Sequence, residues 1–232
     1  PARADITALI AKYKGLVSVI ANRVIGQIDG ATSVVRAADP NGGDSPLGNL
    51  IADAQKADAT TVPPGGTAPV IALMNPGGIR ADLAPRAGDD GQVRYEDLFS
   101  VQPFYNNLVT MTLTGAQLVQ VLEQQWLNQP TAAGRVLSVS RGFTYAWDAS
   151  KPPGQRIVPG SVKFDGVPIA ADATVRVTVN GFLAGGGDNF TALRQGREVR
   201  TGMMDVDAFE QYVRAATAGL APGALDRITR LN

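Results

Sequence analysis

The chain has 232 residues, 44% of them hydrophobic and 18% charged, with 21 Lys and Arg balanced by 21 Asp and Glu. Zero net charge argues against bulk binding to nucleic acid or to an anionic membrane, since neutralising phosphates needs a basic face. The absence of cysteine and histidine excludes disulfides, thiolate nucleophiles, histidine triads and imidazole-ligated zinc, leaving carboxylates, Lys, Arg, Tyr, Ser and Thr for any chemistry.

Residues 4–24 place Ile6, Leu9, Ile10, Tyr13, Leu16, Val17, Ile20 and Val24 at three- and four-residue steps, which predicts an amphipathic helix. Gly26 breaks that pattern. Residues 34–36 (VVR) predict a short strand, and 37–46 (AADPNGGDSP) a polar turn. Ser45 and Pro46 suit the cap and first turn of a helix over SPLGNLIADAQKA. PVIALM (69–74) reads as a buried strand that ends at NPGGIRADL. VRYEDLFSVQPF (93–104) holds a short helix, and NNLVTMTLTG (106–115) alternates as a strand does. Thr114 caps the next helix, GAQLVQVLEQQWL. RVLSVS, GFTYAW, SVKFDGVPI and ATVRVTVN predict strands, with Asp165 and Gly166 as a hairpin turn. VDAFEQYVRAATAG (206–219) predicts a last helix, and DRITRL a closing strand or tail. Helices interspersed with runs of strands predict an α/β or α+β chain of mixed layers. No apolar run approaches the roughly 18 residues of a membrane helix.

Three segments share one design, an apolar strand running into a sharp polar turn. ALMNPGGIR carries Asn75, Gly77, Gly78 and Arg80. SVQPFYNN carries Phe104, Tyr105 and Asn106, and VNGFLAGGGDNF carries Phe182, three glycines and Asp188. Such groups suit a nucleotide. A guanidinium fork grips phosphate, two aromatic faces sandwich a base, a carboxylate accepts from ribose hydroxyls, and glycines admit close backbone approach. Each residue also has a plainer reading. The phenylalanines fill a core, Asp188 caps a turn, Arg80 forms a surface ion pair, and the glycines only turn the chain. No dinucleotide fingerprint, Walker A loop or G-x-S-x-G elbow occurs.

Taken together, SPLGNLIADA, NPGGIRADL, VRYEDLFSVQPFYNNLVTMTLTGAQL, GFTYAWD and GFLAGGGDNF resemble the C-terminal domain of the bacterial 5′-nucleotidase / UDP-sugar hydrolase family. They run in family order over nearly the whole chain from about Ile25. The resemblance implies a four-layer α/β/β/α substrate-binding domain over residues 25–232, preceded by an interdomain linker helix over 1–24. It implies an exported enzyme, in the periplasm, cell wall or medium, that hydrolyses nucleotides to nucleoside and phosphate. Two divalent metals would lie in an N-terminal metallophosphatase domain of the same polypeptide, outside this chain. Phe104 and Phe182 would sandwich the base, Asn106 would meet its edge, and Asp188 the ribose. Arg80, Asn75 and Gly78 would lie near phosphate or ribose, with Arg36 a second phosphate-facing arginine. The chain alone would then bind nucleotide and catalyse nothing. The alternative is a nucleoside- or nucleotide-binding module that never serves catalysis.

Overall fold

A computed structural model describes residues 3–28, 33–40, 42–86 and 88–232. Helix α1 (Ala4–Ala21) leads into strand β1 (Val24–Gln27). Helix α2 (Pro46–Ala57) begins at Ser45, whose side chain accepts from the Gly48 N–H. Strand β2 (Ile71–Met74) and strand β3 (Gln92–Arg94) precede the short helix α3 (Tyr95–Val101). Strand β4 (Asn107–Thr114) passes directly into helix α4 (Gly115–Glu123). That junction is a reciprocal capping box between Thr114 and Gln117. Strands β5 (Ser138–Val139), β6 (Phe143–Asp148), β7 (Lys163–Phe164) and β8 (Val167–Pro168) follow. Then come strand β9 (Thr174–Asn180), the single-turn helix α5 (Gly181–Ala184), strand β10 (Arg197–Met204), helix α6 (Asp205–Ala215) and strand β11 (Ile228–Leu231).

Five strands form the central sheet in the order β10-β4-β9-β2-β5, and β11-β6-β7-β8 form a second one. The result is a mixed α/β fold, as the interspersed helices and strands predict. One apolar core lies on the helical face of the central sheet, where Leu47 and Ile51 of α2, Leu98 of α3 and Phe209 and Val213 of α6 meet Met74. The other core joins Val109, Met111, Val177 and Val179 to Leu118 and Leu122 of α4 and to Phe143 and Tyr145 of the second sheet. Period-two alternation divides the two: the intervening Thr110 and Thr178 turn to the first face and share a 2.7 Å hydroxyl contact.

Several expectations differ in detail. Residues 34–36 give only an isolated bridge between Val34 and Leu83. β10 and the β1–β3 pair carry no alternation in sequence that marks them as strands. The closing segment pairs parallel to β6 and is anchored by charge. Arg227 meets Asp53 of α2 through two bonds of 2.9 and 2.8 Å, and Asp44 accepts from the backbone N–H of Arg227 and of Ile228.

Candidate functional site

Topology brings the three polar turns together. β2 and β9 run parallel as neighbours, so Asn75 and Asn180 emerge at the same edge of the sheet. β4 runs antiparallel to β9, with Leu108 opposite Asn180, so its N-terminal end and the preceding Phe104 and Asn106 reach that edge too. This is the crevice at the carboxyl ends of parallel strands where open α/β sheets receive ligands. A cavity of about 420 Å³ lies here, walled by Asn75, Gly77, Gly78, Arg80, Phe104, Asn106, Asn180, Phe182 and Asp188.

The two aromatic rings are on the wall and outside the core. Phe104 is 55% exposed and Phe182 is 48% exposed. Backbone geometry presents both. Tyr105, just after Phe104, has φ +52°, and the loop after Phe182 turns through Gly186 at +80° and Asp188 at +52°. Positive φ is costly for residues other than glycine, and such strain concentrates where a site fixes the chain. Gly187 lies against the Phe182 ring: a Cβ there would come within 2.5 Å of the ring edge. The triple glycine therefore makes the turn and also leaves room for the ring.

The polar groups form one connected bracket. The Leu183 N–H donates to Asn180 Oδ1, the Asn180 amide donates to Asn75 Oδ1 at 2.9 Å, and the Asn75 amide donates to Asp188 Oδ2 at 2.9 Å. Arg135 Nε stands 3.4 Å from Asp188 Oδ1, and Gln129 donates to the Asp188 carbonyl at 2.8 Å. Both ends of the Asn75 amide are thus engaged by the protein, and its direct task is to hold Asp188. An Asn–Asn–Asp chain of this kind presets the carboxylate before any ligand arrives, lowering the ordering cost of binding.

Arg80 lies at the cavity edge, exposed, with its guanidinium carbon 5.9 Å from the Phe104 ring centre; Nη1 donates to the Gly77 carbonyl at 3.3 Å. Its remaining donors leave it able to grip an anion. Arg36 is not part of the cavity wall. Its Nη1 donates to the Ile79 carbonyl, one residue from Arg80, which places it beside the site. Asn106 directs its amide toward Asp205 Oδ2 at 3.4 Å. Burial raises the Asp205 carboxyl to a pKa of about 6, against the lowering effect of the Asn106 amide and nearby backbone N–H groups.

Sequence reasoning missed Asn180, Arg135, Gln129 and Asp205. Asn180 carried a signal, an Asn between a strand and the G-F-L of a new helical turn, which is a cap position. Arg135 and Gln129 belong to the loop after α4 and had none, because only tertiary packing carries that loop to Asp188. Among the described residues no cluster of three His, Cys, Asp or Glu side chains could hold a metal ion. The one carboxylate on the cavity wall is already held by Asn75 and Arg135.

The sequence matches a family profile described as "5′-nucleotidase, C-terminal domain" over residues 24–195. Among curated proteins, the cell wall protein Lmo0130 of Listeria monocytogenes is 31% identical over 91% of this chain and 27% of its own length. The trifunctional nucleotide phosphoesterase protein YfkN of Bacillus subtilis is 30% identical over 94% of this chain and 14% of its own. Among solved structures, the 5′-nucleotidase precursor from Thermus thermophilus superposes with a TM-score of 0.77 at 34% identity, covering 97% of this chain and 43% of that one. The chain thus spans less than half the length of each of these three relatives.

Proposed function

The chain belongs to the 5′-nucleotidase C-terminal domain family, and from that premise we propose that its cavity is the nucleotide-recognition site of a nucleotidase-type phosphoesterase. The observation that carries the reading is the pair of half-exposed phenylalanines, brought from different turns to one cavity that also holds a preset carboxylate and a free-armed arginine. Globular proteins bury most large aromatic side chains. Two left exposed on a concave wall beside Asp188 and Arg80 fit a base, a ribose and a phosphate in that order.

In this reading the base slides between Phe104 and Phe182 and gains stacking energy of about 1–3 kcal/mol per stacked base. Asp188 accepts from the ribose hydroxyls, with Asn75 and Arg135 keeping its oxygens aimed. Asn106 offers its carbonyl to the base edge, since its amide faces Asp205. Arg80, with Arg36 beside it, neutralises the phosphate and directs it away from the sheet. Two divalent metals in an N-terminal metallophosphatase domain of the same polypeptide would supply a water nucleophile of lowered pKa. This chain's share is positioning, which turns an encounter of substrate and metals into a pre-oriented one.

Helix α1 fits the linker between the two domains. The family match begins at residue 24, just after it, and none of its residues is buried against the rest of the chain. Export to the cell surface or medium completes the proposal, supported by the cell-wall relative. Calorimetric titration of adenosine, AMP and UMP tests the reading. Saturable binding that is weakened in Phe182→Ala is expected, and no binding at millimolar ligand overturns it. The chain by itself is expected to hydrolyse none of them; metal-dependent turnover by the purified chain overturns that part.

A further inference from the structure

A second concavity, of about 580 Å³, lies at the other end of the central sheet. Its place follows from the register. Leu108 faces Asn180 at the cavity end of the β4–β9 pair, and Thr114 faces Thr174 at the far end. Thr112, Thr174 and Arg176 line the groove, roughly 15 Å from Asn180 at about 3.3 Å per residue.

The outer wall, residues 58–70, is pinned at both ends. Asp58 accepts from the Thr60 N–H and hydroxyl at 2.8 and 2.7 Å. The Thr60 hydroxyl accepts from the Met203 N–H, and Thr61 accepts from Thr110. At the far end the Val70 N–H donates to the Arg176 carbonyl at 3.1 Å. The groove is open to solvent and is bounded by segments tied to three strands of the sheet.

Three charged side chains share it. The Arg176 side chain is only 12% exposed. Its Nη1 donates to Thr112 Oγ1 and to the Glu198 carbonyl at 3.1 and 2.9 Å, and lies 3.9 Å from Glu198 Oε2. Its Nε and Nη2 have no hydrogen-bond partner among the described residues, and neither has any atom of the Arg200 guanidinium. Glu198 stands at φ +50°, within the bulge where the register of β10 against β4 shifts between Arg197 and Arg200. A glutamate in the left-handed region is strained backbone, and bulges re-aim side chains beside functional sites. This one brings the carboxylate onto the Thr112 hydroxyl at 2.7 Å. Two guanidinia against one carboxylate leave the groove with one positive charge in excess and several donors unspent, in forks whose geometry matches a planar or tetrahedral anion.

We propose that this groove is a second ligand site, remote from the nucleotide cavity, that takes a small metabolite through a carboxylate or phosphoryl group held by Arg176 and Arg200. Glu198 serves as the brace that orients Arg176 and as the opposing charge that tempers affinity. The proposal stands whether or not the first cavity binds nucleotides.

Amide-resolved NMR of the isotope-labelled chain tests it, with inorganic phosphate in one arm and succinate in the other. Saturable shifts are expected at Thr67, Val175 and Arg200. Shifts at Gly78 and Asp188 report the other site separately, so anion binding at Arg80 is not mistaken for this one. The arm with the tighter response identifies phosphoryl or carboxylate as the group recognised. Arg200→Gln weakens the groove response by about tenfold, the scale of one charge-assisted hydrogen bond. Glu198→Gln, by removing the opposing charge, tightens it several-fold. Arg200 is exposed, so its variant keeps the fold, which unchanged shifts elsewhere verify. Non-saturating shifts with both anions into the tens of millimolar, or an Arg200→Gln chain that titrates like the parent, overturns the site.

Discussion

Phe182 and Phe190 stand eight residues apart on either side of one glycine turn and meet opposite fates. Phe190 is wholly buried, packed in the core that joins the central sheet to α4, while Phe182 keeps half its surface on the cavity wall. The segment between them explains the contrast. Three glycines and two residues of positive φ, Asp188 and Asn189, reverse the chain, so one ring points outward and the next returns inward. An aromatic in this protein therefore contributes stability or recognition according to the turn that carries it.

That contrast can be broken by substitution. Phe190→Ala is expected to lower unfolding free energy by about 3–5 kcal/mol, the range for deleting a buried phenyl ring, as read by urea denaturation. A loss under about 1 kcal/mol would place the ring outside the core. Asp53→Ala leaves Arg227 buried without its partner and is expected to cost a similar 3–5 kcal/mol, roughly the range for breaking a buried ion pair. If the variant melts like the parent, β11 is anchored by its ladder and by Asp44, without help from the ion pair.

Phe182→Ala is expected to show the reverse pattern, losing about 1–3 kcal/mol of nucleoside affinity with stability changed by less than about 0.5 kcal/mol. Calorimetry and melting on one sample separate the two effects.

Asp205 sharpens the comparison from the polar side of the site. Its pKa is raised by burial from 3.8 to about 6, so the folded state holds the proton more tightly than the unfolded one. That contribution is fully present below the unfolded value and is lost as pH rises through about 6. Between about pH 4 and pH 7, the parent should lose about 2 kcal/mol of stability relative to Asp205→Asn, since raising a pKa tenfold in binding constant corresponds to about 1.4 kcal/mol. Parallel stability–pH curves for the two would show that Asp205 is ionised without penalty.

The smallest effect is expected on α1. Leu9→Gln changes an exposed residue of a helix that buries nothing and should move stability by less than about 0.5 kcal/mol. A larger loss would mean that α1 packs on the rest of the chain in solution.

α1 and α6 show how far a sequence pattern reaches. Both present apolar residues at helical spacing, and both are helices. Yet Val206, Phe209 and Val213 of α6 are buried against α2 and α3, while Ile6, Leu9 and Leu16 of α1 stay exposed. Periodicity reports that a stripe exists, and has no information about whether this chain supplies the surface to cover it. The edge strand β10 escaped notice for a related reason. Arg197, Glu198 and Arg200 of β10 are exposed, so no alternation between buried and solvated positions was imposed on that sequence.

Local chemistry was legible in the residues alone. The caps at Ser45 and Thr114, the hairpin at Asp165 and Gly166, the main helices and the alternating strands each depend on residues a few positions apart. The candidate groups were legible too, since strand-ending turns with Phe, Asn, Arg and Asp are written contiguously. That the three turns share one edge came from the folded arrangement, because the parallel pairing of β2 with β9 joins residues about a hundred positions apart. From the same source came the bracing of Asp188 by Arg135 and the placing of Arg176 in a groove at the opposite end. Such contacts arise when burying two apolar faces sets the sheet order, and no short stretch of sequence holds both members of the pair.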